Sequence, residues 1–138
     1  MSGVVLDASA LVIYAKDDLQ ALPVDELLRE LRDDPRSPLA IPALAHEDAL
    51  RILDGDSTAT ARLWALSDEH GVVPASPDML RAVNLIVGEG RVSAGMAHAM
   101  LLAAQRDWLL ATYAAPTLQV AGFEPRLILD LDEVFRAE

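Results

Sequence analysis

The chain of 138 residues is 52% hydrophobic but only 4% aromatic, which is typical of one domain with a core of aliphatic side chains. It has no cysteine, so disulfides and thiolate metal sites are excluded. Its net charge of −11 keeps a protein soluble and disfavours broad binding of nucleic acids, because that binding relies on lysine and arginine against phosphate.

Short apolar segments alternate with amphipathic helices along the chain. The predicted strands are 3–6, 39–41, 72–74, 108–112 and 126–131. The predicted helices are 8–15, 23–32, 42–53, 57–70, 77–87 and 94–105. In the fourth helix, Leu63, Trp64 and Leu66 are expected to face inward. This alternation predicts a single α/β domain over residues 1–138, a three-layer α/β/α sandwich with a mainly parallel central sheet.

The first predicted strand ends on a carboxylate, Asp7, at the start of the first helix. In open α/β sheets ligands bind outside the carboxyl ends of the strands, so an acid at this place is a candidate functional residue. The same residue is also suited to capping the helix, with Ser9 assisting, because an aspartate oxygen accepts hydrogen bonds from the first free N–H groups. The residues alone leave both interpretations open.

Two early segments carry a resemblance to a known family. Segment 5–11 (Val-Leu-Asp-Ala-Ser-Ala-Leu) resembles the first motif of PIN domains, particularly the VapC-like toxins of bacterial toxin–antitoxin modules. Segment 41–53 is similar to their second motif, in which a helix carries an acid six residues after a proline. That spacing selects Asp48, with Glu47 as the alternative if the register slips by one. Without the resemblance, both acids belong to the first turn of a helix, where the macrodipole favours them.

The third and fourth motifs of the family lack their acids here. Segment 95–99 (Gly-Met-Ala-His-Ala) resembles the third motif with its acid replaced by Gly95, and segment 112–114 (Thr-Tyr-Ala) resembles the fourth with its acid replaced by Ala114. The loss at Gly95 is expected to leave a positive helix end uncompensated, where an anion could bind. We expect His98 to be a hydrogen-bonded structural residue, and His46 to be either a surface residue or a ligand.

The resemblance implies a nuclease centre in which clustered carboxylates hold Mg²⁺ or Mn²⁺ and activate water. With Asp7 and Asp48 as metal ligands and Glu47 as a further catalytic candidate, we expect one weak metal site at most, and a domain without metal is an equal expectation. The favoured interpretation is a PIN-like domain with a partly lost ribonuclease site that acts by binding protein or nucleic acid. The alternative is an active Mg²⁺- or Mn²⁺-dependent endoribonuclease toxin, completed by Glu47, Asp78 or Glu89.

The resemblance also implies partners. VapC-like proteins form homodimers and are covered by an antitoxin segment, so we expect a homodimer and a basic antitoxin-like partner, which the negative charge suits. RNA is a further candidate that the charge disfavours, and a local basic strip is left open around Arg29, Arg32, Arg36 and Arg51. No apolar run reaches the roughly 20 residues that span a bilayer, and no signal-peptide pattern is present, so we expect a cytoplasmic protein without membrane contact.

Overall fold

The computed structural model describes residues 3–137, with side chains to residue 134, as a four-stranded sheet covered by helices on both faces. The strands are β1 (Val4–Leu6), β2 (Leu39–Ala40), β3 (Leu109–Thr112) and β4 (Ile128–Asp130). The helices are α1 (Ala8–Lys16), α2 (Leu22–Asp33), α3 (Ala43–Ile52), α4 (Ser57–His70), α5 (Pro77–Gly88), α6 (Ala94–Arg106), α7 (Ala115–Val120) and α8 (Leu131–Ala137). The strand order is β2-β1-β3-β4, and every pairing is parallel.

The side chains of β1 alternate between two core clusters, because successive residues of a strand point to opposite faces of the sheet. Val4 and Leu6 belong to a cluster built mainly by α1, α2, α3 and α4. Val5 belongs to a second cluster built mainly by α6, α7 and the segment that follows. The predicted three-layer α/β/α sandwich with a parallel sheet is therefore confirmed. Within residues 3–137, no helix is long and apolar enough to cross a membrane.

The sheet has a switch point between β1 and β3. The chain passes from β1 to β2 on one side, whereas β3 pairs with the other side of β1. The connections that leave β1 and β3 therefore diverge, and in α/β sheets this divergence opens a crevice at the carboxyl ends of the strands. Asp7 directly follows β1, and Thr112 is the last residue of β3. The fold thus brings these two side chains to the place where an α/β protein binds its ligand.

Two of the predicted strands differ in the structure. Segment 72–74 is not a strand: Val73 makes an isolated parallel bridge to Pro42, and the prolines at positions 42 and 74 have no N–H with which to extend a ladder. Segment 126–131 is divided among a 3₁₀ turn, β4 and the start of α8. The helix begins there because Asp130 Oδ1 accepts the N–H groups of Asp132 and Glu133.

The helices differ from the prediction in two respects: the structure adds α7 and α8, and Trp64 on α4 is exposed. Neither α7 nor α8 was predicted, since six or seven residues are too few to show a helical period. The prediction that Trp64 faces inward is wrong, because its side chain is 48% exposed whereas Leu63 and Leu66 are buried. Neighbouring residues of a helix lie about 100° apart, so the buried face around Leu63 and Leu66 leaves Trp64 at its border.

Candidate functional site

The carboxylate of Asp7 lies at the carboxyl end of β1 and caps α1. Its Oδ1 accepts hydrogen bonds from Ala10 N (3.0 Å) and from Ser9 Oγ (2.6 Å). Its Oδ2 accepts a hydrogen bond from Thr112 Oγ1 at the end of β3 (2.5 Å). The capping interpretation of Asp7 is thereby confirmed, and groups of this chain engage both of its oxygens.

The two hydroxyls that donate to Asp7 are themselves held by backbone N–H groups. Tyr113 N donates to Ser9 Oγ (2.9 Å), and Ala114 N donates to Thr112 Oγ1 (2.8 Å). Each hydroxyl has one proton and gives it to Asp7, so the network is closed within the chain. Ala114, where the resemblance expects an acid, contributes its main-chain N–H instead.

Asp7 is shielded from solvent, with 0% of its surface exposed. Burial raises the pKa of its carboxyl above the ordinary value, against the opposing effect of hydrogen bonds from Ser9, Thr112 and Ala10. A carboxyl with a raised pKa stabilises the fold below its ordinary pKa and loses this contribution as the pH rises through the folded-state value. At neutral pH an ionised Asp7 therefore lowers the free energy of unfolding.

Asp48, on α3, lies beside the N-terminus of α6. Its Oδ2 accepts a hydrogen bond from Gly95 N (2.9 Å), one of the N–H groups that a helix leaves free in its first turn. Its Oδ1 pairs with Arg51 Nη2 on the same helix. The expectation of an uncompensated helix end at Gly95 is therefore wrong. The first-turn interpretation of Asp48 and Glu47 is also wrong, because α3 begins at Ala43 and has no acid in its first turn.

Gly95 is needed for the close approach of α3 and α6. A Cβ built on Gly95 would collide with Asp48 Oδ2 and would lie 2.8 Å from both Ala45 Cα and Leu44 O. The two neighbours on α3 are backbone atoms, so they cannot move aside unless the helices separate. The carboxylate of Asp48 thus stands where the resemblance expects the side chain of a third acid.

A second contact joins the same two helices in the opposite sense. Leu44 N, in the first turn of α3, donates to His98 Nδ1 on α6 (3.3 Å). Each helix therefore supplies an acceptor to the first turn of the other. Asp48 on α3 accepts from an N–H of α6, and His98 on α6 accepts from an N–H of α3. An accepting Nδ1 requires a neutral ring with its proton on Nε2, and burial lowers the pKa of His98 in agreement. The prediction of a structural histidine is confirmed.

The other candidate acids do not form a cluster with Asp7. Glu47 and Glu89 are exposed, and the Asp78 side chain is 87% exposed and paired with Arg81. In the part of the chain with described side chains, no group of three or more aspartate, glutamate and histidine residues is arranged to hold a metal ion. An active endoribonuclease centre would require Glu47, Asp78 or Glu89 to join Asp7 in one carboxylate cluster. Among the described side chains, no such cluster is observed.

We expect the melting temperature to fall as the pH is lowered from about 7 to about 5. Burial lowers the pKa of both His98 and His46. The stability that they contribute is therefore present above the ordinary histidine pKa and lost below it, because the unfolded chain then binds more protons. The variant His98→Asn keeps an acceptor for Leu44 N–H and does not titrate, so calorimetry should show a smaller decrease in its melting temperature. The raised pKa of Asp7 has the opposite effect on stability, but it does so equally in the wild type and in His98→Asn. Equal decreases in the melting temperatures of the two proteins would contradict the assignment of the pH dependence to His98.

A solved crystal structure resembles this fold over nearly the whole chain. The structure of PAE2754 from Pyrobaculum aerophilum has a TM-score of 0.62 and 19% sequence identity, covering 98% of this chain and 88% of that chain. At this identity the likeness concerns the fold alone. No protein-family model and no curated protein matches the sequence.

Proposed function

We propose that this protein is a PIN-like domain without nuclease activity that acts by binding another protein. The observation that carries the proposal is the use of both candidate metal ligands as internal hydrogen-bond acceptors. Asp7 joins the ends of β1 and β3, and Asp48 joins α3 to α6. These carboxylates have the positions of the first two motif acids, but their oxygens are engaged by hydrogen bonds within the fold.

Metal binding at these carboxylates would compete with their hydrogen bonds. Mg²⁺ requires near-octahedral oxygen ligation and gives up its water reluctantly. An ion at Asp7 would compete with the three donors that engage its oxygens, and an ion at Asp48 would compete with the Gly95 N–H for Oδ2. An unpaired buried donor costs about 1–3 kcal/mol, which opposes loading of the site.

The net charge favours a protein partner over RNA. A chain of net charge −11 repels a phosphate backbone, whereas complementary potentials steer a basic protein surface towards it. Arg51, beside the candidate site, does not offset this negative charge, since it is paired with Asp48. A cytoplasmic location and a homodimer remain part of the proposal through the family resemblance.

The proposal predicts neither turnover nor metal binding. Chelator-treated protein incubated with RNA and Mg²⁺ or Mn²⁺ should give no cleavage above a no-enzyme control, and calorimetric titration with Mn²⁺ should give no saturable heat. We also expect Asp7→Asn to raise the melting temperature by a few degrees at neutral pH, because it removes a buried charge. The amide oxygen can still accept from Ser9 and Ala10, and the amide nitrogen can donate to Thr112 Oγ1 in place of the bond that Thr112 now donates. This gain should shrink in acid, where Asp7 is protonated.

The matched control is Glu47→Gln, which removes the same charge from an exposed position. We expect it to change the melting temperature by less than about a degree, since exposed substitutions have small effects. Mn²⁺-dependent cleavage that Asp7→Asn abolishes would overturn the proposal and favour the active endoribonuclease. Cleavage lost in Glu47→Gln as well would assign that acid to the centre.

A further inference from the structure

The turn between α3 and α4 forms an open depression of about 430 Å³ with Trp64 on one wall. Leu50 and Ala61 provide further apolar surface, and Asp54 and Asp56 belong to the lining as well. Trp64 is 48% exposed. Its ring makes an edge contact with the ring of His46, with 4.7 Å between the centroids, so the protein holds the indole while about half of the residue remains accessible.

Two other aromatic rings of the chain are already covered by arginine. The guanidinium carbon of Arg62 lies 4.5 Å from the centroid of Tyr14, and that of Arg106 lies 4.9 Å from the ring of Trp108. Both distances are within the range of a cation–π interaction. Among the side chains that the structure describes, none of the basic groups lies over Trp64 in this way, although its indole is the type of ring that binds cations best.

The charges around Trp64 favour a cation. The lining of the depression includes Asp54 and Asp56 and no lysine or arginine. Asp56 uses Oδ1 to cap α4 through Ala59 N, so its second oxygen is available. His46, which contacts the indole, is buried, so the surface alternative for this residue is wrong, and burial lowers its pKa. It therefore adds no positive charge at neutral pH that would repel a cation.

We propose that this depression, defined by Trp64, Asp54 and Asp56, binds an arginine side chain of a basic segment of a partner protein. The guanidinium would stack on the exposed part of the Trp64 indole and donate hydrogen bonds to the two carboxylates, which its planar fork matches better than a lysine ammonium does. The negative net charge of the chain attracts a basic segment towards the site. The inference rests on the proposed binding function and names the chemistry of the partner.

The test uses the full-length protein and a capped peptide of alternating arginine and serine, with a lysine version for comparison. Binding is measured by calorimetry near physiological ionic strength, where attraction over distances beyond about 8 Å is screened. The ¹⁵N-attached proton of the Trp64 indole reports on the site directly, and it should shift on titration. We expect Trp64→Leu to weaken binding of the arginine peptide about fivefold, and the lysine peptide to bind more weakly than the arginine one.

Two double variants separate local recognition from general attraction. Asp54→Asn with Asp56→Asn should weaken binding at least as much as Trp64→Leu, and asparagine at position 56 preserves the cap of α4. Glu26→Gln with Glu30→Gln removes the same charge from another depression, between α2 and α8, and should change the affinity by less than about twofold. Equal losses in the two double variants would overturn the proposal, because attraction would then depend on net charge alone.

The remaining outcomes are equally decisive. Unchanged affinity in Trp64→Leu, or no binding of the arginine peptide, overturns the inference. Self-association in sedimentation that Trp64→Leu abolishes also overturns it, since the occupant would be a second copy of this chain. If no RNA is cleaved and no peptide binds, this inference fails while the absence of nuclease activity stands. RNA cleavage overturns the proposed function, whatever the peptide result.

Discussion

Gly95→Asp, which restores the acid of the third motif, should destabilise the protein by about 3 kcal/mol or more and lower the melting temperature by roughly 10 °C. The new Cβ would collide with Asp48 Oδ2 and press on the backbone of α3 at Ala45 and Leu44. The added carboxylate would also lie beside Asp48, and like charges at this distance disfavour each other. We therefore expect loss of folded protein rather than recovery of a nuclease.

The control for this prediction is a pair of glycine-to-alanine variants. Gly88→Ala, at the end of α5, adds a methyl group with nothing within 4 Å and should be neutral or stabilising, since alanine restricts the unfolded chain. Gly95→Ala should destabilise the protein, because the same methyl group meets backbone. Urea denaturation of the three variants measures the differences. A Gly95→Asp variant as stable as the wild type, with Mn²⁺-dependent cleavage of RNA, would contradict the packing argument.

Asp48→Ala has the second largest expected effect, a loss of about 2 kcal/mol in the free energy of unfolding. The substitution leaves the Gly95 N–H buried without its acceptor, which costs about 1–3 kcal/mol, and removes the contact that joins α3 to the first turn of α6. If Asp48 served only as a metal ligand, its removal from the metal-free protein would be neutral or stabilising. Urea denaturation in the presence of a chelator distinguishes the two cases by the sign of the change.

Asp48→Asn and Arg51→Met are the controls for Asp48→Ala. The asparagine oxygen can still accept from Gly95 N–H, so the first should retain most of the stability. The Arg51 side chain is 72% exposed, and an ion pair with so exposed a partner contributes about 0–1 kcal/mol. If Arg51→Met were as damaging as Asp48→Ala, the ion pair and not the helix contact would be the source of the effect.

These predictions give Asp48 and Gly95 a joint role. In the family that the motifs resemble, the two positions supply separate acids to a metal centre. Here one carboxylate accepts a hydrogen bond from the backbone of the other position, at 2.9 Å. In the opposite sense, the Leu44 N–H of α3 donates to His98 on α6. The pairing of α3 with α6 therefore uses the residues from which the resemblance would build a catalytic centre.

Features determined by neighbouring residues were predictable from the sequence. Asp7 caps α1, and Ser93 caps α6 through Met96 N, because a cap bonds to N–H groups within three residues of itself. Alternation of strands and helices was sufficient for the layered α/β fold with a parallel sheet. The resemblance to the family motifs also pointed to Asp7, Asp48, Gly95 and Ala114 as candidate positions.

What those positions do was decided by contacts that no local pattern encodes. Thr112 and Asp7 are 105 positions apart, and Gly95 and Asp48 are 47 apart, yet each pair shares a hydrogen bond. The accessible face of Trp64 likewise depends on which side of α4 the core covers. The sequence by itself determined most of the elements, their order and the candidate acids, since periodicity and capping act within a few residues. Only the tertiary structure decided that Asp7 and Asp48 are buried and hydrogen-bonded, because burial and pairing depend on how distant helices and strands pack together.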